Sequence, residues 1–179
     1  MLDYSMMYHA DTPLKRLYHG SEMIWEYVEP EPPEPTYDET KINLIRVTSD
    51  GEPFEPSEIL YPSTLREASE MMDGDGRVWH LYIGNQTGIT TLNSQNYIGA
   101  STAVIITLNE GLTTIGSWGI MYTQYLKRLI IPSTVTSINS SGIINVGYRG
   151  NPIIEVRKSE NSISGAPWGS IDGTVIWTG

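Results

Sequence analysis

Between His80 and Trp168 one arrangement of apolar and polar positions recurs at a fixed interval. The stretches "GITTLNSQNYI", "GLTTIGSWGIM" and "TVTSINSSGII" begin at Gly88, Gly111 and Thr134, 23 residues apart each time. Aligned at that period, the columns hold Ile83, Ile106 and Leu129; Asn85, Leu108 and Ile131; Ile89, Leu112 and Val135; Leu92, Ile115 and Ile138; Asn96, Gly119 and Gly142; and Tyr97, Ile120 and Ile143. Only Asn85 and Asn96 break the apolar or small character. A fixed period above 20 residues makes each copy one coil, which buries its apolar face only by stacking on its neighbours. The segments "LYIG", "VIITL" and "RLIIP" are short and β-branched, so they are expected to stack as parallel strands about 4.8 Å apart. A degenerate fourth copy follows, with Ile154, Val156, Ile163 and Trp168 placed 25 residues after Leu129, Ile131, Ile138 and Ile143. A two-residue insertion near Gly150 to Pro152 keeps that register. Together with the strand expected at Gly173 to Trp177, this copy reads as the cap that a stack needs at its open end.

The segments before the repeat follow other rules. Leu14 to Tyr18 and Met23 to Val28 are two β-rich runs around His19, Gly20 and Ser21, which predicts a hairpin. A lone hairpin is marginal in water, so it is expected to pack on a larger body or dock on a partner through Leu17, Ile24, Trp25 and Tyr27. "EPEPPEPT", Glu29 to Thr36, alternates Pro with Glu and reads as a polyproline II spacer of roughly 25 Å. Beyond it, Ile42 to Val47 alternates as a strand and Ser49 to Glu52 as a turn. Ser63 is the expected N-cap of a helix from about Thr64 to Met72, with Leu65, Ala68 and Met72 on one face. "DGDG" at Asp73 to Gly76 stops that helix; Arg77 at the third carboxylate position and the missing distal Glu argue against a calcium loop. The expected divisions are residues 1–28 for the hairpin, 29–36 for the spacer, 37–79 for an N-terminal cap with one short helix, 80–149 for three repeats, and 150–179 for the fourth repeat and C-terminal cap.

Composition narrows the function classes. The 179 residues carry a net charge of −10, with 11 Lys and Arg against 21 Asp and Glu, which disfavours nucleic acid and anionic membrane surfaces as partners. No stretch approaches the length of a membrane-spanning helix, and the opening residues lack the basic-then-apolar run of a secretory signal. With no cysteine, a disulfide framework and a thiolate metal site are both excluded. His9, His19 and His80 fall in different segments without metal-ligand spacing, so neither a metal nor a cofactor is expected. There is no G-x-S-x-G elbow and no phosphate-cradling glycine loop, and Glu67 and Glu70 fall on the solvated face of the helix. No catalytic residue emerges, and the chain reads as a non-enzymatic protein.

The repeat resembles the BspA-type leucine-rich repeats, whose pattern runs roughly L-x-x-I-x-I-P-x-x-V-x-x-I-G-x-x-A-F. Leu126, Leu129, Ile131, Pro132, Val135, Ile138, Gly142 and Ile143 fill it, as do Ile106, Leu108, Leu112, Ile115, Gly116, Gly119 and Ile120. Gly stands in the Ala column and aliphatic residues or Tyr97 in the Phe column. The likeness covers Leu81 to about Trp168 and implies a mainly β, short solenoid with capping segments, preceded by the hairpin and the Pro/Glu spacer. "LYHGSEMIWE", Leu17 to Glu26, is similar to an N-terminal hairpin of bacteriophage tail-associated and other virion proteins. "NSISGAPWGS", Asn161 to Ser170, with the closing "GTVIWTG", is similar to the C-terminal caps of such proteins. These likenesses imply a structural protein of a phage particle, assembled in the host bacterial cytoplasm. It would bind other virion proteins through the hairpin and present the solenoid for host attachment or particle stabilisation.

Within that reading the candidate partner surface has two parts. Tyr82, Ile105, Arg128 and Ile130 are expected to point outward from one sheet face, and repeats commonly bind on such a face. Trp118, Tyr122 and Tyr125 are amphipathic rings suited to a host surface protein or glycan, and equally to covering a loop or an oligomer neighbour. A homo-oligomer or multivalent array is expected, because weak single contacts add through effective concentration. The alternative is a bacterial surface adhesin or recognition module of the same repeat family; an enzyme acting on glycans would need a carboxylate pair in a cleft.

Overall fold

A computed structural model describes residues 16–19, 22–26, 36–54, 57–74, 76–166, 168–169 and 173–179. The chain forms two compact units, residues 1–34 and 35–179. In the first, β1 (Arg16–His19) and β2 (Glu22–Glu26) form an antiparallel hairpin. Leu17 pairs with Trp25 and Tyr18 with Met23, so Ile24 is the extra residue of a bulge. His19 ends the first strand instead of joining the turn. Leu14, Tyr27, Val28 and the Pro/Glu run from Glu29 to Pro35 lie outside the described residues.

The second unit is a β-solenoid of about four turns with coils of about 23 residues. Its largest sheet is built from β3 (Ile42–Arg46), β4 (Ile59–Leu60), β5 (Trp79–Ile83), β7 (Ala103–Thr107), β10 (Arg128–Ile131), β13 (Ile153–Val156) and β14 (Thr174–Trp177). The order is β14-β13-β10-β7-β5-β3-β4, parallel from β5 to β14 and antiparallel across β3. A second side of the coils stacks β6 (Thr91–Leu92), β8 (Thr114–Ile115) and β11 (Ser137–Ile138). The third side pairs β9 (Ile120–Met121) with β12 (Ile143–Ile144). Leu81, Ile106, Leu129 and Ile154 from the first side, Leu92, Ile115 and Ile138 from the second, and Ile98, Ile120, Ile143 and Trp168 from the third fill one continuous core. Strands such as β5, β10 and β13 contribute alternate residues to it, while β7, whose register shifts against β5, contributes Ala103 and Ile106, so the stack buries a row of aliphatic side chains per coil face.

The first coil departs from the 23-residue register. Leu81, not Ile83, pairs with Ile106, and Ile98, not Tyr97, bridges to Ile120. Extra residues sit in the corner around Asn85 to Gly88 and in the Asn93 to Asn96 turn, where Asn93 Oδ1 accepts from the amides of Gln95 and Asn96 at 2.9 and 3.1 Å. Asn85 and Asn96 broke the apolar columns because they belong to those turns and not to the core. The fourth copy keeps the expected 25-residue offset: Leu129 pairs with Ile154, Ile131 with Val156, and the amide of Ile143 donates to the Trp168 carbonyl at 3.2 Å. Trp168 fills the bulky column, its ring 6.2 Å from that of Trp177 in an edge-on contact.

At the other end β3 and one helix close the core. α1 (Leu65–Gly74) starts one residue later than expected and runs two residues further. Its N-cap is Thr64, not Ser63: Thr64 Oγ1 accepts from the Glu67 amide at 3.1 Å, while the Glu67 carboxylate accepts from the Ser63 amide at 2.7 Å. Leu65, Ala68 and Met72 join the solenoid core with Ile42 and Leu44. The Asp73 carboxylate takes the amide and hydroxyl of Ser101, both at 2.8 Å, which ties the helix end to the first coil.

Candidate interaction surface

The outer face of the main sheet presents alternate residues of each strand: His80 and Tyr82, Ile105 and Thr107, Arg128 and Ile130, Ile153 and Glu155. Much of it is already occupied. Ile45, Val47 and Val104 form a second, smaller core there, with Tyr37, Ile59, Val78, Tyr82 and Ile105 packed against it. Tyr37 stacks on Tyr82 with ring centroids 4.3 Å apart, and Tyr82 Oη donates to Glu39 Oε1 at 2.5 Å. Burial and the neighbouring Glu39 carboxylate push the Tyr82 phenol well above its ordinary range. Asp50, at the tip of the Thr48 to Phe54 loop, pairs with Lys127 at 2.8 Å. The N-terminal cap therefore folds across the face that the repeat pattern alone leaves open. Tyr82 and Ile105 are half-buried, and Ile130 is only 9% exposed, in register with Thr107 and Glu155.

Arg128 is exposed but engaged. Its guanidinium holds the buried Glu155 carboxylate, which Arg157 Nε approaches from the other side at 3.4 Å. The Arg128 hydrogen bond holds Glu155 below the usual carboxylate range against the opposing effect of burial. His80 is held too, with Nε2 2.9 Å from Thr107 Oγ1 and its pKa lowered to about 4 by burial.

The aromatic part of the prediction lies on a different side of the coils. Trp118 and Tyr122 flank β9, and Tyr125 sits in the turn that leads to β10. They are 53%, 56% and 47% exposed. Tyr148, one coil after Tyr125, is 44% exposed, and the guanidinium of Arg149 lies 5.7 Å and 6.0 Å from the centroids of the two tyrosine rings. Arg149 Nη1 also donates to Tyr125 Oη at 3.3 Å. Tyr148 and Arg149 were missed from the sequence, although the 23-residue step from Tyr125 to Tyr148 was visible there.

The backbone beneath these rings is unusual. Trp118 has φ 62° and Tyr122 φ 57°, the left-handed region that bulky residues avoid. One coil later the position of Tyr122 is taken by Asn145 at φ 53°, a residue type that tolerates this conformation. Inter-coil bonds fix the geometry: the amides of Trp118 and Tyr122 donate to the carbonyls of Ser141 and Ile144 at 2.8 and 3.2 Å. The chain thus keeps two large rings in solvent at positions that cost roughly 1–2 kcal/mol each.

Other chemistry is sparse among the described residues. They contain no group of three His, Asp or Glu side chains placed to hold a metal ion, and no helix long and apolar enough to cross a membrane. A shallow groove between the cap and the first coil is lined by Lys41, Tyr61, Ser63, Thr64, Thr87 and Asn96, with the Lys41 ammonium 4.5 Å from the Tyr61 ring centroid. Of the helix carboxylates, Glu67 is committed to the cap and Glu70 to Arg66 at 3.0 Å. In comparisons with known proteins, no protein family, no curated protein and no solved structure matches the chain.

Proposed function

We propose that this chain is a non-enzymatic structural protein of a bacteriophage particle, in which the hairpin unit docks on other virion proteins and the solenoid displays a contact surface. The likeness of Leu17 to Glu26 and of Asn161 to Ser170 to virion segments supports the particle assignment. The observation that carries the display reading is the row of exposed rings Trp118, Tyr122, Tyr125 and Tyr148 around Arg149, two of them on left-handed backbone. Strain of that kind persists where a position does something that a relaxed residue would not. Exposed Trp, Tyr and Arg are the residue types that anchor interfaces and stack on sugar rings.

Tyr122→Asn tests this directly, because it installs the residue that the next coil uses at the same backbone position. The variant is expected to melt at a temperature equal to or above that of the parent and to bind host cells, or purified host envelope glycans, at least tenfold more weakly. A variant that binds as well as the parent would remove the ring row from the contact surface. For the particle assignment, deletion of residues 1–28 is expected to leave a folded protein that is missing from purified particles.

A further inference from the structure

The solenoid ends differ. At the N-terminal end the sheet finishes in β4, a strand of only two residues followed closely by Pro62, on an antiparallel connection. Short edge strands and Pro are devices that stop a sheet from adding further strands. At the C-terminal end it finishes in β14, Thr174–Trp177, which among the described residues pairs only with β13 and carries no charge, no Pro and no bulge. In a chain with a net charge of −10, that strand is a neutral edge.

Its hydrogen-bonding groups divide cleanly. The amides of Thr174 and Thr178 donate to the Pro152 and Val156 carbonyls at 2.9 Å, so even-numbered residues of this strand face β13. By the alternation of a strand, the N–H and C=O groups of Val175 and Trp177 point away from the sheet. Among the described residues nothing pairs with them. Ile176, between them, shows 38% of its surface on the outer face, beside Ile153 at 43%.

The geometry points to a second copy of this chain as the occupant of this edge, joined by antiparallel pairing of β14 with its two-fold mate. Centred on Ile176, the strand is self-complementary. Val175 of each chain meets Trp177 of the other as a hydrogen-bonded pair that exchanges both bonds, and the two Ile176 residues face each other as the non-hydrogen-bonded pair. This register keeps Val175 and Trp177 on the core side and Ile176 on the outer side in both chains, so the sheet runs on unbroken from one solenoid into the next. Head-to-tail stacking would need β4 as the complement, and β4 is too short to supply it, which leaves the closed two-fold arrangement. A neutral edge lets two acidic chains meet without like charges opposed.

The test uses the full chain, which has no native cysteine. Sedimentation velocity over a hundredfold range of concentration is expected to show a monomer–dimer equilibrium. Ile176→Lys places two ammonium groups opposite each other across the axis and is expected to weaken dimerisation at least tenfold, with circular dichroism unchanged and with the parent's melting temperature at concentrations where both chains are monomeric. Ile176→Cys is expected to form an intermolecular disulfide under mild oxidation, because non-hydrogen-bonded pairs hold their Cα atoms about 4.5 Å apart, within disulfide range. Glu160→Cys, exposed elsewhere, serves as the control and is expected to stay reduced. A chain that stays monomeric throughout, or a dimer in which Cys at 176 cross-links no faster than Cys at 160, would overturn the proposal.

Discussion

His80 shows how one side chain ties cap, sheet and solvent conditions together. Its ring lies in an outer-face cluster with Tyr37 and Tyr82 at centroid distances of 5.8 and 6.4 Å, and its Nε2 meets Thr107 from the next coil. Burial disfavours the imidazolium and lowers the pKa from 6.5 to about 4. Above pH 6.5 the imidazole is neutral in both folded and unfolded chains and contributes no pH dependence. Between 6.5 and about 4 the unfolded chain takes up a proton that the folded chain refuses. Stability therefore falls as the pH drops through that window, by up to about 1.4 kcal/mol per pH unit, and the loss stops below about 4. In His80→Gln, urea unfolding at a series of pH values is expected to show this acid slope flattened between pH 6.5 and 4. Asp38, Asp50 and Glu155, whose pKa values are lowered by their partners, keep contributing acid sensitivity at lower pH.

Among the elements, the turn before β3 decides how the first coil is closed. Asn43 is fully buried: its Nδ2 donates to the carbonyls of Asp38 and Lys41, both at 2.9 Å, and its Oδ1 accepts from the Asp38 amide at 2.8 Å. The carbonyl of Glu39 then accepts from the Gln86 amide at 2.7 Å, so the turn lies flat on Gly84. A Cβ at Gly84 would run into the Glu39 carbonyl, a backbone atom that cannot rotate away. Gly84→Ala is accordingly expected to lower stability by about 1–3 kcal/mol in urea titrations, and the same change at exposed Gly74, where nothing lies within reach, by far less. This contact shows where sequence reading reached its limit. The period in Leu92, Ile115 and Ile138 was legible because each coil repeats the same burial. The corner at Asn85 to Gly88 was not, because its two extra residues answer to the cap and have no counterpart in the other coils. The outer-face core was hidden for the same reason: Ile105 and Ile130 look like solvent-facing repeat positions until Tyr37 and the Thr48 to Phe54 loop are placed. Trp118, Tyr122 and Tyr125 were legible as rings outside the core columns, but the left-handed backbone of Trp118 and Tyr122 was not.

For the whole molecule, the two compact units imply that the solenoid carries its own core. Residues 37–179 expressed alone are expected to unfold in one cooperative transition with a melting temperature within a few degrees of the full chain. Molten or aggregated material would instead make the first 36 residues part of the fold. Cooperativity is expected because every rung leans on the next. Ile115 pairs with both Leu92 and Ile138, and no coil has a core of its own.

The register on the second side is the same from Leu92 to Ile115 and from Ile115 to Ile138, while deviations in coil length are absorbed at corners. Each rung therefore offers its neighbour an equivalent ledge, and the chain has a natural unit of growth. Duplicating one 23-residue coil beyond Lys127, the residue before β10 that the cap loop reaches through Asp50, would raise the column by about 4.8 Å while leaving both caps with the surfaces they already fit. The ring row would move with the coils that bear it. Length in this architecture is a digital quantity, adjustable in whole steps without redesign of either end.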